Sequence, residues 1–312
     1  MLIQDSFQPF FGVVENIKDP EEVGRVQVRC YGYHTENKEF LPTEHLLWFS
    51  TVNSNQAGVS GIGESPTGYV QGSTVFGYFL SQDLQDGIVL GSISGKPTKS
   101  AMSNLGFNDP DGVYPIYTDE SDVNKLARGD SSHELFKIRN QNRRIGVPTA
   151  GGGNWDEPEY RNNATYPDND VKETKSGHVK EYDNTEGNER IQEFHKSGTF
   201  YEVDKDGNKI VKIVGDGYEI IAGSKFANVR GDVNLTVEGD VKHYVQGNYI
   251  LNIDGETKEE YGGSVTRDYS DVTENYGSHT TKAGSRTHIG SVTVNGTFTC
   301  NGAVFCTSLI EG

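Results

Sequence analysis

Eight glycines recur at a strict eight-residue step: Gly207, Gly215, Gly223, Gly231, Gly239, Gly247, Gly255 and Gly263. About one residue in eight of the chain is glycine, so from a given first glycine the other seven fall on that step by chance less than about once in a million. A second position is locked to the first. Six residues after each glycine stand Ile213, Ile221, Val229, Val237, Val245, Ile253, Tyr261 and Tyr269, all good β-formers. The unit is therefore a short strand with one inward apolar residue, closed by a glycine turn.

An octad is too short for a full coil of a single-chain β-helix, which needs roughly three such edges per turn. One chain could wind three octads per coil, or three chains could intertwine, each giving one edge per layer. In both, glycine takes the corner because φ > 0 or close backbone approach is cheap only without a Cβ. Lys242, Glu259, Glu260 and Arg267 would face water. The expected product is a stiff, narrow rod with few free strand edges, and it needs no catalytic group. Past residue 270 the period slips: Gly277 fits if one residue is dropped, and Gly284, Gly290, Gly296 and Gly302 follow at six-residue steps. Shorter edges predict a tapering end.

The rest of the chain bounds the reading. Its 312 residues hold two domains or so, and only 33% are hydrophobic, which suits β-structure with a thin core. A formal charge of −17 disfavours nucleic acid as a partner and gives solubility. No run of 18 apolar residues predicts a transmembrane helix. The start, MLIQDSFQPFFGVV, lacks the layout of a secretory signal. Cys30, Cys300 and Cys306 are a sparse, odd set, as in a chain made in a reducing cytoplasm, and the last two read as buried thiols on repeat edges.

Residues 1–10 read as an arm. Over 11–97, FGVVENI, RVQVRCYGY, LLWFSTV, GSTVFGYFLS and GIVLGSIS are five short strands with turn chemistry between them, such as Asp19-Pro20 and Gly24. Five strands without a convincing helix predict a small Greek-key barrel of the OB type. Residues 98–175 are dense in Pro, Gly, Asn and Asp and read as a long, mostly extended connector, with one short helix around Ser121–Ala127. SGHVKEYDN, ERIQEFHKSG and TFYEVDKDGN then predict strand, turn and strand, with Asp206-Gly207 as a hairpin signal leading into the octads. The fold class is all-β.

An ordered set of motifs resembles a known family. Gly12-Val13-Val14, Asp19-Pro20, Gly24-Arg25-Val26-Gln27-Val28, Leu41-Pro42-Thr43, Trp48, Gly61-Ile62-Gly63, Ser65-Pro66-Thr67-Gly68 and Gly87-Ile88-Val89-Leu90-Gly91 are similar to the OB-fold domain of the central baseplate spike of contractile-tailed phages. Gly106-Phe107-Asn108-Asp109-Pro110 with Tyr114-Pro115 resembles the stretch after that domain. Thr174-Lys175-Ser176-Gly177-His178, Asp183-Asn184-Thr185, Gly187-Asn188-Glu189-Arg190-Ile191 and His195-Lys196-Ser197-Gly198-Thr199 resemble the entry to the spike's β-helix, a block shared with the VgrG spikes of type VI secretion.

The resemblance implies a homotrimer, hence an intertwined β-helix over 176–312, with octads at 207–270 and a tapering tip at 271–312. It implies a needle at the centre of the tail baseplate in the virion. The OB-fold would meet the tail hub protein, and sheath contraction would drive the needle through the bacterial outer membrane. A muramidase domain sits between OB-fold and β-helix in T-even phages. It needs roughly 150 residues and a positioned acid and carboxylate pair, whereas residues 98–175 are short and loop-like. Glu134, Asp156, Glu157 and Glu159 there read as solvated loop carboxylates, and no enzyme activity, cofactor or metal is expected. With the OB-fold expected to start near residue 11, the resemblance also implies that the hub, a large N-terminal domain in VgrG, is a separate protein.

Some phage spikes bind iron at the tip through H-x-H. None occurs here, and His279 and His288 are isolated. The apolar end with Val304, Phe305, Leu309 and Ile310 instead reads as a docking platform for a PAAR-type tip protein. Gly151-Gly152-Gly153 reads as a flexible loop, and neither a P-loop nor C-x-x-C occurs. Rival readings are a spike with a cell-wall hydrolase in 98–175, a glycan-binding fibre, and a spike of a type VI-like injection system.

Overall fold

The computed structural model describes residues 7–60, 62–63, 68–98, 102, 104–107, 119–283, 285–297 and 299–302. The chain divides into two compact units, Met1–Val241 and Lys242–Gly312.

The first unit opens with five strands: β1 (Gln8–Asn16), β2 (Val26–Cys30), β3 (Trp48–Thr51), β4 (Thr74–Phe79) and β5 (Gly87–Ser92). They close into a barrel in the order β1-β2-β3-β5-β4. Only β3 and β5 run parallel; the other neighbours are antiparallel. That is the five-stranded Greek-key closure of an OB-fold. All five expected strands are present. The expected arm at 1–10 is shorter than its bounds, because Gln8–Phe10 belong to β1 and Phe10 is in the core.

Alternation places Phe10, Val14, Val28, Phe49, Val75, Phe79 and Val89 inside, with Phe10 stacked on Phe49 at 5.1 Å. Every residue of β2 is buried. Its polar members are tied down: Gln27 donates to the Leu46 carbonyl at 2.6 Å, and Arg29 to Glu15. The turn after β1 is built on Asp19, whose carboxylate accepts the N–H groups of Glu21, Val23 and Arg25 and the Arg25 guanidinium.

The expectation of an extended connector over 98–175 is corrected by its described part. A helix, α1 (Glu134–Gln141), replaces the expected helix at Ser121–Ala127, where only a 3-10 turn at Leu126–Arg128 forms. A short hairpin follows, β6 (Val147–Pro148) with β7 (Asn154–Trp155). The sequence favoured loops here because the helix carries only three apolar side chains and no regular period. What holds it is packing: Leu135 is buried against Leu126, Tyr160, Val179, Phe194 and Phe200.

An antiparallel five-stranded meander comes next: β8 (Asn169–Glu173), β9 (Val179–Asp183), β10 (Arg190–Phe194), β11 (Phe200–Val203) and β12 (Lys209–Lys212). Asp206-Gly207 makes the expected turn between β11 and β12, with Gly207 at φ +79. Strand β8 lies within the stretch expected to be connector.

From residue 213 to 302, no described residue belongs to a strand or is buried, in either unit. No described helix is long and apolar enough to cross a membrane.

Candidate functional site

The octads carry the most distinctive geometry. The backbone bends at 214–215, 222–223, 230–231, 238–239, 246–247, 254–255 and 262–263, so each glycine from Gly215 to Gly263 sits on a bend. Only Gly207 of the eight has positive φ. A Cβ on any of the other seven would meet no atom of the chain within 4 Å. Left-handed backbone therefore does not account for these seven, and no described residue packs close against the position of a Cβ there.

Side chains make contact across the bend at 262–263. Arg267 Nη2 lies 3.4 Å from Glu259 Oε2, eight residues earlier, and Tyr261 donates to the same oxygen at 2.6 Å. A straight strand would separate positions eight apart by about 26 Å.

Between bends the side chains alternate. Counting from each glycine, the second, fourth and sixth residues supply Val211 and Ile213, then Val233, Leu235 and Val237, then Tyr249, Leu251 and Ile253. The sixth residues, Ile213, Ile221, Val229, Val237, Val245, Ile253, Tyr261 and Tyr269, are 45–63% exposed within one chain. Among the described residues this regular apolar stripe is thus left exposed, a property that marks association surfaces in general. The tip residues Val304, Phe305, Leu309 and Ile310 lie outside the described residues, as does Cys306.

The sequence reading missed a second constellation, at the covered face of the meander. Strands β9, β10 and β11 turn Glu181, Asp183, Arg190, Gln192 and Glu202 inward. From α1, Arg139 reaches Glu202 and donates to Gln192 at 2.5 Å. Arg190 pairs with Glu181 at 2.7 Å; Gln192 and Asn169 donate to Glu181 at 2.9 and 2.7 Å. Tyr160 lies beneath both guanidinium groups, 4.5 and 4.9 Å from its ring centre, and burial pushes its hydroxyl up to about 12. Buried charges persist only when paired like this. The network fastens α1 to the sheet.

The four connector acids are all engaged by neighbours. Glu157 is a correction: it is buried rather than solvated, and accepts Lys212 Nζ at 2.7 Å and the Arg144 N–H at 3.0 Å. Asp156 accepts the Gly146 N–H, Glu159 pairs with Arg161, and Glu134 lies 3.6 Å from Lys137. His279 and His288 are exposed and bond to Thr281 and to the Ser291 carbonyl. Among the described residues, no group of three or more His, Cys, Asp or Glu is placed to hold a metal ion.

An OB barrel followed by a buttressed five-stranded meander and a glycine-octad segment places the chain among nearly all-β proteins built on an OB domain. The sequence profile of the Gp5 N-terminal OB domain matches residues 32–195, more than half the chain, and the chain belongs to that family. It is 35% identical over 252 residues to protein Gp5 of Vibrio phage KVP40, covering 70% of this chain and 60% of the relative. It is 37% identical over 150 residues to the pre-baseplate central spike protein Gp5 of Enterobacteria phage T4, covering 45% of this chain and 26% of that one. The chain thus spans less than two thirds of the length of either relative.

Proposed function

We propose that this chain is the structural needle of a phage tail baseplate, assembled as a homotrimer with its octads intertwined in a β-helix. The observation that carries the reading is the octad stripe. It bends at each octad glycine from Gly215 to Gly263, alternates like a strand in its sequence, and leaves its inward positions half exposed among the described residues. Three copies supply the three edges that one octad per layer requires. Covering the exposed half of each inward residue stabilises the rod by about 1 kcal/mol or more per side chain. Strands paired between chains cannot unfold one chain at a time, which suits a part loaded in compression.

In this reading the OB barrel docks on the tail hub protein. Its outer wall offers Phe7, Phe11, Leu90 and Ile93, each at least 42% exposed, for that contact. The C-terminal end presents a platform for a PAAR-type tip, and sheath contraction drives the needle through the host outer membrane. The protein is made in the host cytoplasm and ends at the centre of the baseplate in the virion. Its glycines and apolar stripe act by packing, without cofactor or nucleic acid.

The needle is read as non-enzymatic because Glu134, Asp156, Glu157 and Glu159 all serve local structural contacts. A peptidoglycan zymogram of the full chain should show no clearing. Clearing that is abolished by Glu134→Gln would establish the hydrolase reading instead.

Light scattering tests the assembly. The expected mass is three times 34.3 kDa, for a species that survives SDS without heating. A stable monomer would overturn the needle reading.

A further inference from the structure

A repeat that makes a rod also makes its alignment ambiguous. When one chain slips past its neighbours by an octad, or loops an octad out, glycine returns to glycine and apolar residue to apolar residue. Only the ends of the rod feel the change. Period alone therefore specifies register weakly, as in other strands whose pattern does not distinguish one pairing from the next. The stripe of the octad at Gly231 is Val233, Leu235 and Val237, and that of the octad at Gly247 is Tyr249, Leu251 and Ile253. Those two sets are close to interchangeable, and His243 is the one polar stripe residue of the octad between them.

Charges interrupt the stripe in two places. Glu219 stands four residues after Gly215 and Lys225 two after Gly223; Glu259 stands four after Gly255 and Arg267 four after Gly263. All four are even positions, on the parity of the apolar side chains. Each acid meets its base in the next octad. Lys225 Nζ lies 2.6 Å from Glu219 Oε2, and Arg267 Nη2 lies 3.4 Å from Glu259 Oε2. Arg267 also reaches the hydroxyl of Tyr261, a sixth-position residue, at 3.3 Å. Glu259 and Arg267 were expected to face water, but they gather on the side of Tyr261. Lys258 and Glu260 are different: they hold odd positions and pair within one octad at 2.7 Å. A pair on that outer side meets the same water in any register.

We propose that the stripe pairs Glu219–Lys225 and Glu259–Arg267 set the register in which copies of this chain align along the rod. This rests on the reading that the octads self-associate. In register, the copies of each pair meet in the same two layers, and their charges cancel. A chain displaced by one octad towards the meander brings its Glu259 level with Leu251 of the other copies, where an enclosed carboxylate has no new partner to replace its water. An enclosed charge is tolerated only when paired, and a polar group set into an apolar seam is best attested as a register device. In sequence the two pairs bracket the interchangeable octads, so a slip between them is felt at the second pair.

Symmetry in the full chain tests this, because aligned copies are equivalent and slipped ones are not. In a background carrying Cys300→Ser and Cys306→Ser, with Cys30 left buried in the barrel core, Thr266→Cys on the outer side is tagged with a trifluoromethyl group. Fluorine NMR is read beside the mass from light scattering. The expected result is an oligomer with one resonance. Replacing all four stripe charges by Leu should keep the mass and split the signal into two or more, whereas Lys258→Leu with Glu260→Leu should leave one. A single resonance in the four-Leu variant overturns this inference and leaves the octad reading standing. A monomer before any stripe charge is changed overturns both. Should the four-Leu variant fail to assemble, charge exchange decides. Arg267→Glu alone should lose the SDS-resistant species, and adding Glu259→Arg should restore it with one resonance. Assembly of Arg267→Glu with one resonance, or no recovery on adding Glu259→Arg, overturns the inference.

Discussion

Arg29 Nε sits 2.5 Å from Glu15 Oε1, and neither side chain has any exposed surface. The guanidinium also donates to the carbonyls of Thr35 and Leu41 at 2.6 Å each, and Glu15 accepts the Thr43 hydroxyl at 2.7 Å. One buried pair thus ties β1 and β2 to the 35–43 loop. Arg29→Met should destabilise the protein by about 3–5 kcal/mol, because Glu15 would be left charged and unpaired in the interior. Urea titration at pH 7 measures it. Adding Glu15→Leu to that variant should restore much of the loss, since no charge then remains buried; equal losses in single and double variants would refute this account.

Gly106 follows from the same pair. Its N–H donates to the Glu36 carbonyl at 2.7 Å, and a Cβ there would lie 1.7 Å from Arg29 Nε and 2.1 Å from Glu15 Oε1. Both atoms end side chains, yet neither can swing away without breaking its bonds. Gly106→Ala should cost about 1–3 kcal/mol as an overpacking change. Gly68→Ala, where a Cβ meets nothing within 4 Å, should stay within about 0.5 kcal/mol. Thermal melts of the two variants side by side make the comparison.

The Asp19 turn should show itself through pH. The Arg25 side chain, with backbone N–H groups behind it, holds the Asp19 carboxyl well below the usual carboxylate range against a smaller opposing effect of burial. A carboxyl depressed in the folded state stabilises it fully above the unfolded value, about 4, and progressively less as pH falls from there towards the folded value. The gap in denaturation midpoint between the natural protein and Asp19→Asn should be widest at pH 7 and shrink below pH 4. A gap independent of pH would assign the effect to shape alone.

Octad parity gives the sharpest contrast in assembly. Val237 lies on the apolar side of its octad and Asn234 on the other. In the proposed trimer, Val237→Asp should abolish the SDS-resistant species, since three carboxylates would then meet in a dry core. Asn234→Asp should leave it intact. The two variants differ from the natural chain by one charge each, so a gel at room temperature separates position from charge.

The barrel was legible because its strands are local signals. GSTVFGYFLS alternates within itself, FGVVENI is a short apolar run bounded by turn residues, and closure needs only that the apolar sides turn to one axis. The glycine octads were legible for the same reason. The meander was half legible. Asp206-Gly207 marks its last turn, but in Arg190-Ile191-Gln192 hydropathy would turn Ile191 inward, and the structure buries Arg190 and Gln192 instead.

Alternation along a strand states that neighbours point opposite ways; it does not state which way is in. That depends on what covers the sheet, and α1 brings Arg139 to Glu202 from 63 residues away. The helix itself is weakly encoded and is held by that contact, as Glu157 is held by Lys212 across 55 residues. The repeat period, the barrel strands and the Asp206-Gly207 turn were determined by the sequence alone, because they arise from residues within about ten of one another. The inward face of the meander, the placement of α1 and the burial of its ionic network were decided only by the tertiary structure, because a buried charge is stable only where a distant partner meets it.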